Sequence, residues 1–443
     1  MKESEITIMG SKGRKKRKKK KSNFMAPFIF TLIFVISAGV FLMLAWLYVG
    51  LADEPDRQDF LVKKETVTEG PAADDGKAEA DEKSNGEEDG AKTAENASDS
   101  SRYGGILQDE AYMAEHNIYA KEAFSEDSVT ITFAGDILFD PNYSVMAKLL
   151  QNGGDIGSGI APDLIGEMQS ADIMMLNNEF AYSEGGAPIP EKQFTFRARP
   201  EYVSYLTDLG VDIVSLANNH AYDYGEQAFL DTMQVLRGEG IPYVGAGINE
   251  QEASSPVYFI INDMKIAIIS ATQIERLDNP DTKGATETSP GVFRCLNGEK
   301  LMQTVAQAKE ESDFVIVYIH WGTENQEETD WLQNKQAPEL AEAGADLIIG
   351  DHPHILQKID IINGVPVIYS LGNFWFNSKP LDTGMVKVTI SEDGLQSFQF
   401  LPCRQDNCRT SLLEGEEKAR VLGEMRRMSP NVQIDEDGYV ALP

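Results

Sequence analysis

Residues 345–357 read A-D-L-I-I-G-D-H-P-H-I-L-Q, and residues 359–376 read I-D-I-I-N-G-V-P-V-I-Y-S-L-G-N-F-W-F. The apolar run 347–349 predicts a buried strand that stops at Gly350. His352 and His354 follow at once, separated by Pro353, which biases the residue before it toward extended backbone. Residues i and i+2 of an extended segment point the same way. The two imidazoles are therefore expected to project together from a strand end, the commonest place for a site in an α/β sheet. Taken alone, the stretch fits two satisfied loop histidines equally well. The placement of the other histidines decides.

Outward from this stretch, strands and helices alternate. Strands are expected over 129–134, 172–176, 211–216 and 314–319, with a hairpin across Asn262-Asp263. Helices are expected over 144–150, 160–169, 201–209, 225–238, 301–311, 331–343 and 414–428. This alternation predicts an α/β class, with late β runs at 385–390 and 395–401 adding antiparallel strands. The strands end in Asp136, in Glu179, in Asn219-His220, in His320 and in His352/His354. Four of the five histidines lie at such ends, and His116 is the exception. Wet loops often place one polar residue after a strand; a whole set of carboxylate, amide and imidazole groups instead matches the ligands of a borderline divalent metal.

The chain's two ends differ in composition. Residues 1–22 carry ten Lys or Arg, and residues 24–51 then run 28 positions without a charge, enough to span a bilayer. Trp46 and Tyr48 near the far end suit a membrane interface. The expectation is a basic cytoplasmic arm (1–23), a single-pass anchor (24–52) and an extracellular C-terminal portion. A cleaved signal peptide is the rival, although its apolar core is normally shorter. Residues 53–127 hold 22 acidic and eight basic residues with little apolar content and read as a disordered stalk. Its last part, 103–124, regains aromatics and can pack on the main domain, which is expected over 128–405 with a helical extension over 406–443. From residue 128 the balance is 47 acidic against 21 basic residues, which argues against nucleic acid or another polyanion coating the surface. The three cysteines make no disulfide scaffold, though Cys403 and Cys408 could close a small loop.

Gly135-Asp136, Asn177-Asn178-Glu179, Ala217-Asn218-Asn219-His220 with Asp223 and Gly225, His320-Trp321-Gly322 with Glu324, Gly350 with His352-Pro353-His354, and Ser370-Leu371-Gly372-Asn373-Phe374 occur in that order over roughly 129–402. Together they resemble the poly-γ-glutamate capsule biosynthesis (CapA-type) family, within the calcineurin-like metallophosphatases. The resemblance implies a four-layer α/β/β/α sandwich with two divalent metal ions (Mn, Zn or Fe) at the strand ends. It implies Asp136, Glu179, Asn219, His320, His352 and His354 as metal ligands, with Glu179 bridging. His220 would be the proton donor, oriented by Asp223. The usual Asp-x-His start holds Leu138 here, which leaves one ligand missing unless Asp140 or a water replaces it. Partners implied are an anionic polymer such as poly-γ-glutamate, other membrane subunits of a capsule synthase, and the membrane itself through the N-terminal helix. Arg197 and Arg199 are candidates for gripping an anionic substrate; a solvated strand face is the alternative. The functions in view are a metal-dependent hydrolase of the polymer or its linkage, a non-catalytic polymer-binding export component, or a cell-envelope phosphoesterase.

Overall fold

The computed structural model describes residues 101–274 and 282–443. The basic arm, the anchor run and most of the stalk lie outside the described residues. Among those described, no helix is long and apolar enough to cross a membrane.

Two mixed sheets build the fold. In sheet order, the first runs Ile118–Ala120, Val257–Ile261, Met264–Thr272, Phe314–His320, Leu347–Asp351, Val365–Ile368, Ile359–Ile362. The second runs Arg409–Leu412, Gly394–Asp406, Leu381–Ser391, Val129–Ile137, Ile173–Asn178, Ile213–Ser215, Tyr243–Val244. The central pairs of both sheets are parallel, as the strand–helix alternation predicts. The hairpin across Asn262-Asp263 is present, with both residues in the left-handed region (φ 49° and 56°) that such tight turns need.

The central strands are apolar on both faces, and their period of two divides them between cores. Ile131, Phe133, Ile173 and Met175 share a core with Ile266, Ile268, Ile316 and Ile349 of the opposite sheet. The alternate residues face outward. Leu176 and Val214 pack with Val145, Leu164 and Met233 from the helices Ser144–Gln151, Pro162–Gln169 and Gly225–Glu239. Val315, Val317 and Ile348 pack with Leu301, Val305 and Leu340 from Glu299–Glu311 and Trp331–Ala343. Helix, sheet, sheet and helix thus form successive layers, each buried Ile or Phe contributing about 1.5–3 kcal/mol.

A repeated device sets the register of the parallel strands. Asp172, Asp212, Asp313 and Asp346 each stand just before a strand, and each carboxylate accepts a backbone N–H from the neighbouring strand: Thr130, Met174, Lys265 and Val315, at 2.7, 2.8, 2.8 and 2.8 Å. Each of these aspartates also donates its own N–H to the carbonyl of the same residue, at 2.8–2.9 Å. Both sheets are pinned this way.

Two boundaries move. Ile118–Ala120 adds an edge strand to the first sheet, and Tyr103, Ile106 and Met113 pack against the outer core, so the folded unit begins well before residue 128. The division expected at 405/406 falls inside a hairpin, because Gly394–Asp406 pairs with Arg409–Leu412. The helix Gly415–Met428 is part of the body, since its Val421, Leu422 and Met425 are buried with Phe398 and Phe400 in the inter-sheet core. Cys403 and Cys408 do not pair; both thiols are free and buried.

Candidate metal centre

The C-terminal ends of parallel strands from both sheets meet at one rim. Asp136 and the Asn177-Asn178-Glu179 turn come from the second sheet, as does the turn Asn218 to His220. His320 and Asp351, each the last residue of its strand, come from the first sheet, followed by His352 and His354. Asp136 sits where the main chain of two segments almost touches: its N–H donates to the Gly372 carbonyl at 3.3 Å. A Cβ on the preceding Gly135 would lie 2.0 Å from that oxygen, so no other residue fits there. Asn373 pairs with Asp136 in register, which carries the Ser370 to Phe374 motif onto the rim.

All six expected ligands, and His220 beside them, converge. His352 Nδ1 lies 3.0 Å from His320 Nε2, and His320 Nε2 lies 2.8 Å from Asn219 Oδ1. His354 Nδ1 lies 3.2 Å from Asp136 Oδ2 and 2.9 Å from Asn373 Oδ1. Glu179 Oε1 lies 3.8 Å from His320 Nε2 and 3.9 Å from His220 Nε2. His220 Nδ1 is held by Asp223 Oδ2 at 2.7 Å. An amide chain braces the acids: Asn218 donates to Asn177 Oδ1 at 2.8 Å, and Asn177 donates to Asp136 Oδ1 at 2.9 Å.

One expectation of backbone geometry fails. His352 and His354 are not extended; both lie in the left-handed region (φ 92° and 62°). The strand carries on through Gly350 to Asp351 and the chain then coils, so the rings reach the rim from a tight loop rather than by i, i+2 alternation. Asn219 and His220 sit on a turn beyond the strand Ile213–Ser215, with the His220 N–H donating to Asn218 Oδ1 at 3.0 Å. Both side chains reach the rim from that turn, Asn219 at His320 and His220 at Glu179.

Asp140 does not replace the missing partner at Leu138. Its Oδ1 accepts from the N–H and side-chain amide of Asn142, its Oδ2 from the Arg197 N–H, and Leu138 is buried in the helix-side core. A different carboxylate stands beside Asp136: Asp351, whose Oδ1 is 3.0 Å from His320 Nδ1. Donor atoms of Asp136, His320 and Asp351 fall within 4.8 Å of one another, and so do those of Glu179, His352 and His354. Asp351 stood in the G-D-H-P-H stretch, but an apolar run ending in Gly-Asp reads as an ordinary strand end. Arg197 and Arg199 stay away from these groups. Arg197 lies over the Tyr224 ring at 4.2 Å and donates to the Gly185 carbonyl, and the exposed Arg199 faces Glu201.

The electrostatics are those of a site that wants cations. Both Glu179 oxygens and Asp351 Oδ2 are buried with no hydrogen-bond partner, a costly state for a carboxylate. Burial, then the nearby Asp136 charge, pushes the Glu179 and Asp351 carboxyls well above their usual range. Burial likewise pushes His320 down to about 3 and His352 well below its ordinary value. His354 resists burial and is raised by its hydrogen bond and charge contact with Asp136. Unpartnered carboxylate oxygens beside neutral imidazoles fit divalent metal ions.

The paired sheets and this rim of acids, amides and imidazoles define an α/β protein with a candidate metal centre. The family model for the bacterial capsule synthesis protein PGA_cap matches residues 130–378, and the chain belongs to that family. It is 29% identical over 290 residues to the PGA biosynthesis protein CapA of Bacillus subtilis strain 168, covering 63% of this chain and 73% of that one. It is 30% identical over 221 residues to the capsule biosynthesis protein CapA of Bacillus anthracis, covering 48% and 52%. Among solved structures it is similar to a 5'-nucleotidase from Candida albicans SC5314, with a TM-score of 0.32 and 10% identity over 64% of this chain and 53% of that one.

Proposed function

We propose that this protein is a membrane-anchored, extracellular component of capsule biosynthesis of the poly-γ-glutamate type, and that its rim is a divalent-metal centre with hydrolytic activity on the polymer or its linkage. The observation that carries the metal reading is the set of unpartnered buried oxygens on Glu179 and Asp351, surrounded by His320, His352 and His354. The relatives' capsule names support the biological setting, and the uncharged run 24–51 behind ten basic residues supports the anchor. Asp136, Asp351 and His320 would hold one cation, with Glu179, His352 and His354 holding another and Asn219 beside them. Bound there, divalent cations supply Lewis-acid stabilisation of an anionic oxygen of the scissile group.

The chain's own residues do the rest. Asp223 fixes the His220 ring through Nδ1, which aims Nε2 at the rim beside Glu179. That nitrogen can hand a proton to a leaving oxygen or nitrogen. The Phe196 ring packs against the His220 ring, tilted by 37° with the centroids 4.2 Å apart. The test is metal analysis together with turnover. His220→Ala should keep its metal and lose about 10²–10⁴-fold in rate.

A second reading is favoured by Leu138 and by the engagement of Asp140: a centre with an altered ligand set that binds polymer without cleaving it. Wild-type protein that retains metal and binds poly-γ-glutamate, yet hydrolyses neither polyglutamyl nor phosphoester substrates, would select that reading.

A further inference from the structure

The segment 183–199 crosses the rim and lands on the turn that carries Asn219 and His220. Ile189 N–H donates to the Asp223 carbonyl at 2.8 Å, and Phe196 N–H donates to Asp223 Oδ2 at 2.7 Å. Lys192 Nζ lies 2.6 Å from Asp223 Oδ1 and also donates to the Asn219 carbonyl. The Lys192 side chain is 6% exposed and that of Asp223 is 0% exposed, so the ion pair is sealed from water.

These contacts divide the Asp223 carboxylate. Oδ1 belongs to Lys192, while Oδ2 belongs to His220 Nδ1 and the Phe196 N–H. Burying an ammonium group is expensive unless it is paired, and an apolar side chain would pack a loop at lower cost. What a cationic donor can do here, and an apolar side chain cannot, is hold a carboxylate oxygen and a main-chain carbonyl at once. Both belong to the turn beside Glu179, where His220 Nε2 stands 3.9 Å from the carboxylate.

We infer that Lys192 is a positioning residue of the centre: it fixes the Asp223 carboxylate that orients His220 and ties down the Asn219 backbone, making 183–199 a strap that completes the proton-donating edge. This deepens the reading of His220 as proton donor and rests on it. Lys192→Met keeps the apolar stem and removes the charge; Lys192→Arg keeps the charge.

The test uses full-length, zinc-loaded protein labelled with ¹⁵N-histidine. The His220 Nδ1–H signal is assigned by its loss in His220→Ala. In Lys192→Met that signal should move or vanish, while the signals of His320, His352 and His354 and the zinc content hold. With bis(p-nitrophenyl) phosphate as probe, kcat should fall about 10²-fold at unchanged KM. Lys192→Arg should restore the signal and most of kcat. In a His220→Ala background, Lys192→Met should change kcat by less than about 2-fold, because the two residues act as one unit. An unchanged His220 signal in Lys192→Met overturns the inference, as does a loss spreading to every histidine and to the zinc. Should that variant fail to fold, the same readings on Lys192→Gln decide. A wild type without turnover on the ester removes the proton-donor reading, and the His220 signal still judges Lys192 by itself.

Discussion

The two ends of the parallel strands use the same residue types to opposite effect. At the strand starts, Asp172, Asp212, Asp313 and Asp346 have their carboxylates engaged by neighbouring backbone N–H groups. Cations or further donors complete several of them: Phe124 N–H serves Asp172, Lys121 serves Asp212, Lys309 serves Asp346, and Arg102 serves Asp313. At the strand ends, Glu179 and Asp351 are buried just as deeply or more so, yet keep oxygens with no partner. A satisfied buried carboxylate stabilises its surroundings, and an unsatisfied one costs free energy until something positive arrives. The starts therefore hold the fold, and the ends hold a place for a ligand.

The largest expected effect breaks the ligand end. His352→Ala removes an imidazole that touches both His320 and the rim, so metal per chain should drop to background and any turnover with it, while the fold survives. Elemental analysis beside circular dichroism checks this. A variant that keeps full metal would remove His352 from the ligand set.

At the strand start the order reverses. Asp172→Ala strips the N–H groups of Phe124 and Thr130 of a charged acceptor, which should cost about 2–3 kcal/mol of stability and leave metal content unchanged. Denaturant unfolding measures the first and elemental analysis the second. Loss of metal without loss of stability would erase the distinction between the two ends.

A smaller effect has the opposite sign. Glu179→Gln removes a buried, unpartnered carboxyl that burial and the Asp136 charge hold well above its usual range, so that it resists the ionisation it undergoes freely in the unfolded chain. The metal-free protein should therefore gain about 1 kcal/mol near neutral pH, and less on acidification. The same variant should bind metal poorly. If metal-free Glu179→Gln is less stable than metal-free wild type, the carboxylate is satisfied after all and the ligand assignment weakens.

How far the sequence discloses these two ends differs. The strand ends were legible because His, Asn and Glu gather where apolar runs stop, and no competing pattern explains four histidines there. The strand starts were not, because an aspartate before a strand looks like any wet loop residue, and only the register shows that its oxygens reach a neighbouring strand. Asp351 was hidden for the same reason, since its place at the end of a β run carries no mark of which way the carboxylate faces. Lys192 was out of reach, because an irregular segment with Gly185, Gly186, Pro188 and Pro190 has no periodicity from which to infer a landing point. The C-terminal helix was visible as a helix, but the charges around Val421, Leu422 and Met425 concealed that its apolar side enters the main core.

That helix offers a third environment for an aspartate, paired yet partly open to water, and there the smallest effect is expected. Asp382 accepts from Arg420 at 2.8 and 2.9 Å and from Arg404 at 2.8 Å, which joins the helix Gly415–Met428 to the strand Leu381–Ser391. Partial burial pushes its carboxyl up, but Arg420 and then Arg404 outweigh that and hold it below the usual range. A carboxylate depressed in the folded state contributes stability that is fully present above its unfolded value, near 3.9, and is lost as the pH falls through the lower folded value. With the side chain 28% exposed, that contribution should be no more than about 1 kcal/mol. Asp382→Asn should thus be less stable than wild type by about that amount at pH 7, and the gap should close on acidification below pH ~4. Raising the salt concentration at pH 7 should narrow the same gap, because a half-open pair is screened. Unfolding midpoints for both proteins across that range decide it. A gap that persists unchanged at low pH would mean that Asp382 acts through packing, as the strand-start aspartates act through geometry, and not through its charge.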